Sequence, residues 1–391
     1  MNVWLVAAAW MALALLASLV SIRLGISIAL VEIVIGAVAG NVFHIQSAPW
    51  IDFLATFGSV LLTFLAGAEI DPASLRRHLK PALAIGSMGF LAPFVVVGLF
   101  AYFVAHWELH AAFIAGIALS TTSIAVVYAV MIETGRNNTE LGKLILAACF
   151  VNDLGTVLAL GIVFARFNGW LALFVAVTAL ALWFMPAMTR FVIRTVGARV
   201  SEPELKFVFL VLFVLGGLAQ VARSEAVLPA YLVGLVVAGV FVRDKTLLDR
   251  MRTIAFTILT PFYFIKAGLF VSAPAMLAGA ALIAAFLLAK VGSKFAGILP
   301  LTRAFKFDRR EGMYTTLLMS TGLTFGTISA LFGLTNRIIT QEQYTILVIT
   351  VIGSALVPTF IAERWFAPVS LPRSVTAEEE IPIIEEASEI P

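Results

Sequence analysis

The chain has 391 residues, of which 61% are hydrophobic and 13% are charged, and its formal net charge is +3. A soluble domain carries about a quarter charged residues, so the composition excludes a water-soluble fold and predicts an all-α polytopic membrane protein. The basic residues occur in short clusters between apolar stretches, which argues against a nucleic-acid partner. A single cysteine, Cys149, excludes an internal disulfide framework.

Apolar stretches follow one another along almost the whole chain, and a helix that crosses a bilayer needs about 20 such residues. We predict about 13 spans on this basis. They lie near 2–20, 24–43, 48–69, 81–105, 110–133, 141–165, 168–190, 204–222, 225–242, 254–273, 275–298, 312–334 and 343–366. Fusion of spans 8 and 9 or of spans 10 and 11, or a re-entrant segment, is the main alternative to this count.

The distribution of basic residues between the spans predicts the orientation of the chain. With the N-terminus outside, almost all of the 26 basic residues fall in inner links, Lys294 among them. The outer links carry Arg166, Arg223 and Arg337. The positive-inside rule therefore favours an N-terminus outside and a C-terminus in the cytoplasm. The expected location is the cell (inner) membrane.

Four ionisable residues lie well away from the ends of the predicted spans. Asp153, Lys290 and Lys266 are placed near the centres of spans 6, 11 and 10, and Glu32 lies in span 2. A charge at the middle of a bilayer costs about 2.5–3.5 kcal/mol. Such residues predict a water-filled cavity or an ion site near the midplane; the alternative is a buried ion pair that only fixes helix packing.

Spans 5 and 12 carry polar, helix-weakening clusters at their middles. These are Ser120–Ser123 and Ser320–Thr327, the latter with two glycines. Small hydroxyl residues and glycine can satisfy the backbone groups of a discontinuous helix, and the two spans are antiparallel in the predicted topology. The pair indicates inverted repeats with a site at the midplane. Either cluster alone could be an ordinary helix contact, as we predict for Gly36–Gly40.

In these residues the chain resembles the monovalent cation:proton antiporter family, in the branch that includes bacterial sodium/proton antiporters and glutathione-gated potassium/proton transporters. The matching pieces are RLGISIALVEIVIGAVAGN, LLTFLAGAEIDPASLRR, the STTS cluster, the VND triplet, AYLVGLVVAGV, LTPFYFIKAGLFVS, LAKVGSKFAG and the glycine-rich span 12. The resemblance implies thirteen spans, a two-domain fold of inverted repeats, two crossed discontinuous helices and a homodimer.

The resemblance also implies roles for individual residues. Asp153 matches the aspartate that binds the cation and exchanges the proton, and Asn152 matches the position before it. Lys290 matches the basic residue that faces this pair, and Thr121 with Thr122 match the break beside the site. Asn152 departs from electrogenic members, which have aspartate there, so a one-to-one, electroneutral exchange is the simpler expectation. Further candidates for the site are Ser120, Thr321, Thr324, Lys266 and Glu32.

The expected mechanism is alternating access with competition between a cation and a proton at Asp153. A core of helices at about 81–165 and 275–366 is expected to move against a scaffold at about 2–69 and 204–273. Together they form a transmembrane domain over 1–370, and 371–391 is expected to be an acidic, disordered cytosolic tail. Because the acid exchanges a proton, the activity should depend steeply on pH.

Other functions remain open at this stage. A potassium/proton antiporter is the nearest alternative to sodium/proton exchange, Li⁺ being a further possible substrate, and a sodium-coupled organic solute symporter or an ion channel is more distant. A membrane enzyme is disfavoured because the spans contain no HExxH motif, Ser/His pair or Cys/His cluster. No cofactor is expected. Histidine relays and histidine-bound metals are disfavoured because the histidines read as link residues: His44, His78, His106 and His110.

Overall fold

In the residues that it describes, a computed structural model of the chain contains helices and no strand. The described residues are 2–24, 27–68, 77–133, 136, 139–164, 169–196, 201–222, 226–241 and 245–368. The predicted tail 371–391 lies outside them, as do Arg166 and Arg223.

The helices follow the predicted spans closely. The first part of the chain forms α1 (Val3–Leu24), α2 (Ile28–Val42), α3 (Pro49–Ala68), α4 (Leu79–Phe103), α5 (Leu109–Ser120), α6 (Ile124–Glu133), α7 (Glu140–Val163), α8 (Gly169–Val196) and α9 (Pro203–Ala222). The second part forms α10 (Val227–Phe241), α11 (Lys245–Ile254), α12 (Thr260–Leu269), α13 (Ala273–Ala278), α14 (Ala280–Ala304), α15 (Arg309–Met319), α16 (Thr324–Thr335) and α17 (Gln341–Ile361). Two π-helical turns, Ala255–Leu259 and Ala362–Phe366, complete the set.

The length and hydropathy of these helices agree with a membrane protein. Within the described part of the chain, nine segments are long and apolar enough to cross a bilayer, and three shorter apolar helices are α2, α5 and α10. The interrupted pair α15–α16 counts as one of the nine. The membrane-protein class is therefore confirmed, while the number of thirteen spans stays a prediction.

Both predicted discontinuous helices are interrupted where their polar clusters fall. The first stops at Ser120 and resumes at Ile124, and the second stops at Met319 and resumes at Thr324. The second interruption is shorter than the cluster that predicted it, because Thr324–Thr327 already belongs to α16. Each interruption leaves carbonyl groups at the end of one half-helix and N–H groups at the start of the next.

Glycines bring several pairs of helices into backbone contact, and in two pairs of the predicted scaffold a glycine of each helix meets the backbone of the other. Gly36 of α2 lies against the carbonyl oxygen of Ile265 in α12, and Gly268 of α12 lies against the carbonyl oxygen of Ile33. Helices α3 and α10 pack in the same reciprocal way through Gly67 and Gly234. A side chain at any of these positions would overlap backbone atoms. The prediction that Gly36–Gly40 mediates a helix contact is confirmed.

Two lysines lie elsewhere than the sequence predicted. Lys294 was assigned to an inner link, which is wrong: its side chain is fully buried within α14. Lys266 was placed at the centre of a span, but it lies in the last turn of α12. The displacement of Lys294 has a simple cause. Helix α14 begins five residues later than the predicted start of its span at 275 and continues to Ala304, so the middle of the helix lies between Lys290 and Lys294.

Candidate ion-binding site

The two interruptions meet in the interior of the protein. The Thr122 hydroxyl donates a hydrogen bond of 2.8 Å to the Met319 carbonyl, the last one in α15. The Ser123 N–H points at the Thr321 hydroxyl at 3.4 Å. Because both half-helix C-termini and both half-helix N-termini converge here, the crossing offers partial charges of about half a unit of each sign.

The acid and the amide of the predicted site lie beside this crossing. Asp153 and Asn152 are buried in the middle of α7. The Asn152 amide donates a hydrogen bond of 3.3 Å to the carbonyl of Ser120, the last residue before the first interruption. Within the described residues, one carboxylate oxygen of Asp153 and the amide oxygen of Asn152 are buried without a hydrogen-bond partner. Both are oxygen ligands of the kind that hard cations prefer.

A lysine that the sequence analysis missed connects three elements of the site. Lys294 is fully buried, and its ammonium donates a hydrogen bond of 3.0 Å to the Thr122 hydroxyl. Thr122 in turn donates to Met319 across the crossing. The charge of Lys294 also interacts with the carboxylate of Asp153. Lys294 is therefore a second buried lysine at the site, beside Lys290, the residue to which the resemblance assigned the role of the basic partner.

Lys290 lies one turn earlier on the same helix and is also fully buried. Its ammonium is aimed at the second interruption, where a Cβ at Gly322 would overlap it. The hydroxyls of Thr121 and Ser354 lie around the same glycine, 2.9 and 3.3 Å from where a Cβ at Gly322 would be. The Lys290 ammonium has no hydrogen-bond partner among the described residues.

Tyr231 is a second residue that the sequence analysis did not single out. It belongs to α10 and is buried, and its hydroxyl donates a hydrogen bond of 3.0 Å to the Phe150 carbonyl in α7. Its ring meets Phe325 of α16 edge-on, and its hydroxyl interacts electrostatically with Asp153. Tyr231 thus links the predicted scaffold to the predicted core one turn from the acid. A tyrosine in an apolar span does not by itself indicate that the residue lies near Asp153, so the sequence could not predict this contact.

The remaining candidates divide into two groups. Ser120 and Thr321 are buried at the crossing, and Thr324 is partly buried at the start of α16. Glu32 is buried in α2, in the predicted scaffold. Lys266 pairs with Asp52 in the first turn of α3, with 2.7 Å between the ammonium and the carboxylate oxygen, so its partner lies at a helix end.

A cavity of about 1090 Å³ opens between the predicted core and scaffold. Its wall includes Asp52 and Ser59 of α3, and Asn336 after α16, and it reaches Leu160 of α7. Leu160 lies two helical turns, about 10 Å, from Asp153 on the same face of the helix. Asp153 itself is only 1% exposed. The cavity therefore approaches the acid, which is closed off from water in this conformation.

These features are what a site for a small monovalent cation requires. An acid without a full set of hydrogen bonds can accept either a proton or a cation. The neighbouring Asn152 reaches the crossing through Ser120, where hydroxyl and carbonyl oxygens are available. The positive charge of Lys294 opposes the binding of both the proton and the cation. A charge inside a membrane is energetically costly. Binding of either a cation or a proton therefore stabilises the buried carboxylate. The geometry suits exchange better than permanent retention of an ion.

Comparisons with known proteins agree with this geometry. A family model described as "Sodium/hydrogen exchanger, transmembrane" matches residues 11–367. The "Probable Na(+)/H(+) antiporter 3" of Methanocaldococcus jannaschii is 24% identical over 360 residues, which cover 87% of this chain and 90% of that protein. The "Na(+)/H(+) antiporter NhaS4" of Synechocystis is 24% identical over 356 residues, with 82% and 84% covered. For "Cation/H(+) antiporter 18" of Arabidopsis thaliana, identity is 26% over 348 residues, which cover 84% of this chain but 43% of the plant protein.

The fold itself also has a solved counterpart. The structure of the sodium proton antiporter MjNhaP1 from Methanocaldococcus jannaschii superposes with a TM-score of 0.71, covering 94% of this chain and all of that one, at 14% identity. This likeness confirms the antiporter-type helical fold that the interrupted helices predicted. The family model covers most of the chain, and the chain therefore belongs to the sodium/hydrogen exchanger family of transmembrane proteins.

Proposed function

We propose that the chain is a secondary antiporter that exchanges a monovalent cation for H⁺ at Asp153. The observation that carries this proposal is the buried, incompletely hydrogen-bonded carboxylate beside two crossed helix interruptions. The names of the relatives, which are sodium/proton and cation/proton antiporters, support the same reaction. The cation and H⁺ are substrates, and no cofactor takes part.

The occupied site is expected to use oxygen atoms from several elements. Deprotonated Asp153 binds the cation with the Asn152 amide oxygen, the hydroxyls of Thr121 or Thr122, and carbonyls of the interruptions. Protonated, Asp153 carries a proton in the opposite direction. Lys294 compensates the carboxylate when neither is bound, through the electrostatic interaction between them.

The exchange requires Asp153 to face each side of the membrane in turn. We propose that α4–α7 and α14–α17 move as a core against a scaffold of α2, α3, α10 and α12. Glycine-mediated backbone contacts stiffen the scaffold pairs, whereas the core meets the scaffold through side chains such as Tyr231. The cavity bounded by Asp52 and Asn336 is the route from the outer side if the N-terminus is outside, as the positive-inside rule favours.

We further propose Na⁺ as the preferred cation and a one-to-one, electroneutral exchange. A single carboxylate is available at the 152–153 pair, since Asn152 is neutral. A neutral amide before the acid is equally compatible with K⁺, so potassium/proton exchange is the alternative within this mechanism. The protein is expected in the inner membrane as a homodimer, where it would serve pH homeostasis.

Reconstituted protein tests these proposals directly. Proteoliposomes that contain a pH-sensitive dye receive Na⁺, Li⁺ or K⁺, with and without a membrane potential imposed by valinomycin or another ionophore. Cation-dependent proton efflux that is strongest with Na⁺ and insensitive to voltage is expected. A flux strongest with K⁺ supports the alternative, and conductance without coupled proton movement rejects antiport.

A further inference from the structure

We propose that Tyr231 is a latch between the scaffold and the core. Its hydrogen bond to α7 stabilises the conformation of this structure, in which the cavity is open and Asp153 is closed off, and the bond breaks each time the core moves. The proposal rests on the antiport function above, because it presupposes a protein that alternates between conformations. It assigns to Tyr231 an effect on the equilibrium between these conformations.

The backbone of Tyr231 is fixed in the scaffold. Its carbonyl oxygen occupies the place that a Cβ at Gly67 of α3 would take, so α3 and α10 touch at this level. One turn further along α10, Gly234 meets the carbonyl oxygen of Phe64 in the same way. Since close-packed contacts of this kind leave no free space for a shift, Tyr231 stays with the scaffold when the core moves.

The side chain of Tyr231 leaves the scaffold and is buried against the core. Its hydroxyl donates the hydrogen bond of 3.0 Å to the carbonyl of Phe150, three residues before Asp153 in α7. Its ring lies edge-on to Phe325 of α16, with 6.4 Å between the ring centroids. Because α7 and α16 both belong to the predicted core, a displacement of the core against the scaffold changes both contacts.

The hydrogen bond does not satisfy a carbonyl that the fold leaves without a donor. Phe150 lies in the middle of α7, where its carbonyl accepts the helical hydrogen bond from the residue four positions later. Tyr344 of α17 is a contrast, because its hydroxyl donates at 2.6 Å to the Ala267 carbonyl in the last turn of α12, where helices leave carbonyls without a donor. Tyr344 therefore caps a helix, whereas α7 can lose the bond to Tyr231 without an unsatisfied carbonyl.

Tyr231 also lies between the cavity and Asp153. The cavity reaches Leu160 and Gly161 of α7, and Leu228 of α10 packs onto Gly161. One turn further along α10, Tyr231 belongs to the same buried apolar cluster as Leu160. Displacement of α7, which carries Asp153, therefore requires α10 and α7 to slide past each other and the bond from Tyr231 to break.

The expected effect follows from the strength of one hydrogen bond. Its net contribution corresponds to a change of about three- to tenfold in an equilibrium constant. Removal of the Tyr231 hydroxyl should therefore lower the ratio of cavity-open to cavity-closed molecules by about three- to tenfold. A tyrosine with a purely structural role would change the amount or the thermal stability of folded protein and leave this ratio as it is.

The ratio can be measured by double electron–electron resonance between spin labels on the two walls of the cavity. Thr56→Cys in α3 and Asn336→Cys after α16 place one label on the scaffold and one on the core. Both residues are exposed and line the cavity, and the native cysteine, Cys149, is buried. All variants are compared in this double-cysteine background, so any effect of the labels is common to them.

In that background, Tyr231→Phe keeps the ring and removes the hydroxyl. We expect the distance distribution to shift toward the shorter, cavity-closed distances, with the ratio of long to short distances falling about three- to tenfold. Tyr231→Met, which removes the ring as well, should shift it at least as far. Tyr102 is 45% exposed near the end of α4, so Tyr102→Phe is the matched control and should leave the distribution unchanged.

Three results would overturn the inference. These are an unchanged distribution in Tyr231→Phe, a shift toward longer distances, or loss of folded protein in both Tyr231 variants, which would make the residue structural. Each protein is also assayed for cation-dependent proton flux. A wild-type protein without this flux would reject the proposed function itself, whereas flux with an unchanged distribution rejects only the latch.

Discussion

The paired helices of the predicted scaffold differ from the crossing of the interruptions in the predicted core in what they bury at their contacts. In the scaffold, α2 with α12 and α3 with α10 approach until glycines touch the backbone of the partner helix. In the core, the crossing of the interruptions buries hydroxyls, an amide, a carboxylate and two lysines. Close apolar contact provides stability in lipid, where helix association depends on packing. Buried polar groups without hydrogen-bond partners lower the stability of the fold. In the core these groups lie at the crossing, where a bound cation or proton can interact with them.

The two regions should therefore respond differently to mutation. Substitutions at the crossing should change transport while the protein stays folded, and substitutions at the scaffold glycines should change folding first. The following predictions test this separation, from the largest expected effect to the smallest.

Asp153→Asn should abolish cation-dependent proton flux, because the amide can neither release a proton nor offset the charge of a cation. The shape of the side chain is retained, so we expect a wild-type elution profile in size-exclusion chromatography. Asp249→Asn, which changes an exposed aspartate of α11, is the control and should transport normally. Flux near the wild-type level in Asp153→Asn would contradict the mechanism.

Gly234→Val should destabilise the protein, because its side chain would overlap the Phe64 carbonyl of α3. Forcing extra atoms into a close-packed contact costs about 1–3 kcal/mol, occasionally more. Gly239→Val in the same helix has open space for the side chain and should leave the thermal transition in detergent unchanged. Equal transitions for the two variants would mean that the α3–α10 contact is looser than described.

Lys294→Met should lower the maximal rate of exchange by about tenfold or more, because it removes a charge-assisted hydrogen bond to Thr122 and the compensation of Asp153 in the empty site. Lys294→Arg should recover part of the rate. A maximal rate near the wild-type level in Lys294→Met would show that the hydrogen bond to Thr122 and the charge at this position are not needed for exchange.

Asn152→Asp should make exchange sensitive to voltage by adding a second acid next to Asp153. The measurement is the proton flux at imposed potentials of both signs. Asn2→Asp, at an exposed asparagine just before α1, is the control and should leave the voltage response unchanged. A voltage-sensitive wild-type protein would contradict the proposed stoichiometry.

Lys266→Met should have the smallest effect of these variants on the stability of the protein. Its partner Asp52 is 48% exposed, and ion pairs near solvent contribute about 0–1 kcal/mol. A double-mutant cycle with Asp52→Asn, read from thermal or chemical unfolding, should give a coupling energy below about 1 kcal/mol. A larger value would show that the pair holds α3 against α12 more strongly than its exposure indicates.

The features that sequence predicted well are those that stand out from an apolar background. Asp153 is a charge in the middle of a long apolar run, and the two interruptions contain Ser, Thr and Gly clusters. Each of these signals is local, so no tertiary information is required to find it. The broken helices and the helical membrane class follow from them and are confirmed.

The features that the sequence analysis missed depend on where a helix begins or on contacts between helices that are far apart in the sequence. Lys294 was separated from the site by an error of a few residues in where α14 begins, which moved the helix centre away from it. The contact between Tyr231 and the Phe150 carbonyl joins α10 to α7, and the pair of Lys266 with Asp52 joins α12 to α3. Hydropathy along a single sequence contains no information on which helices are neighbours.

The central claim is that a cation and a proton compete for the carboxylate of Asp153. Its most direct test is the KM for Na⁺ of reconstituted wild-type protein across a series of pH values. Competition predicts a KM that rises as the pH falls, toward tenfold for each pH unit where the proton-loaded form dominates, at a constant maximal rate when Na⁺ saturates. A KM that does not change with pH, together with proton flux, would contradict competition at a single acid.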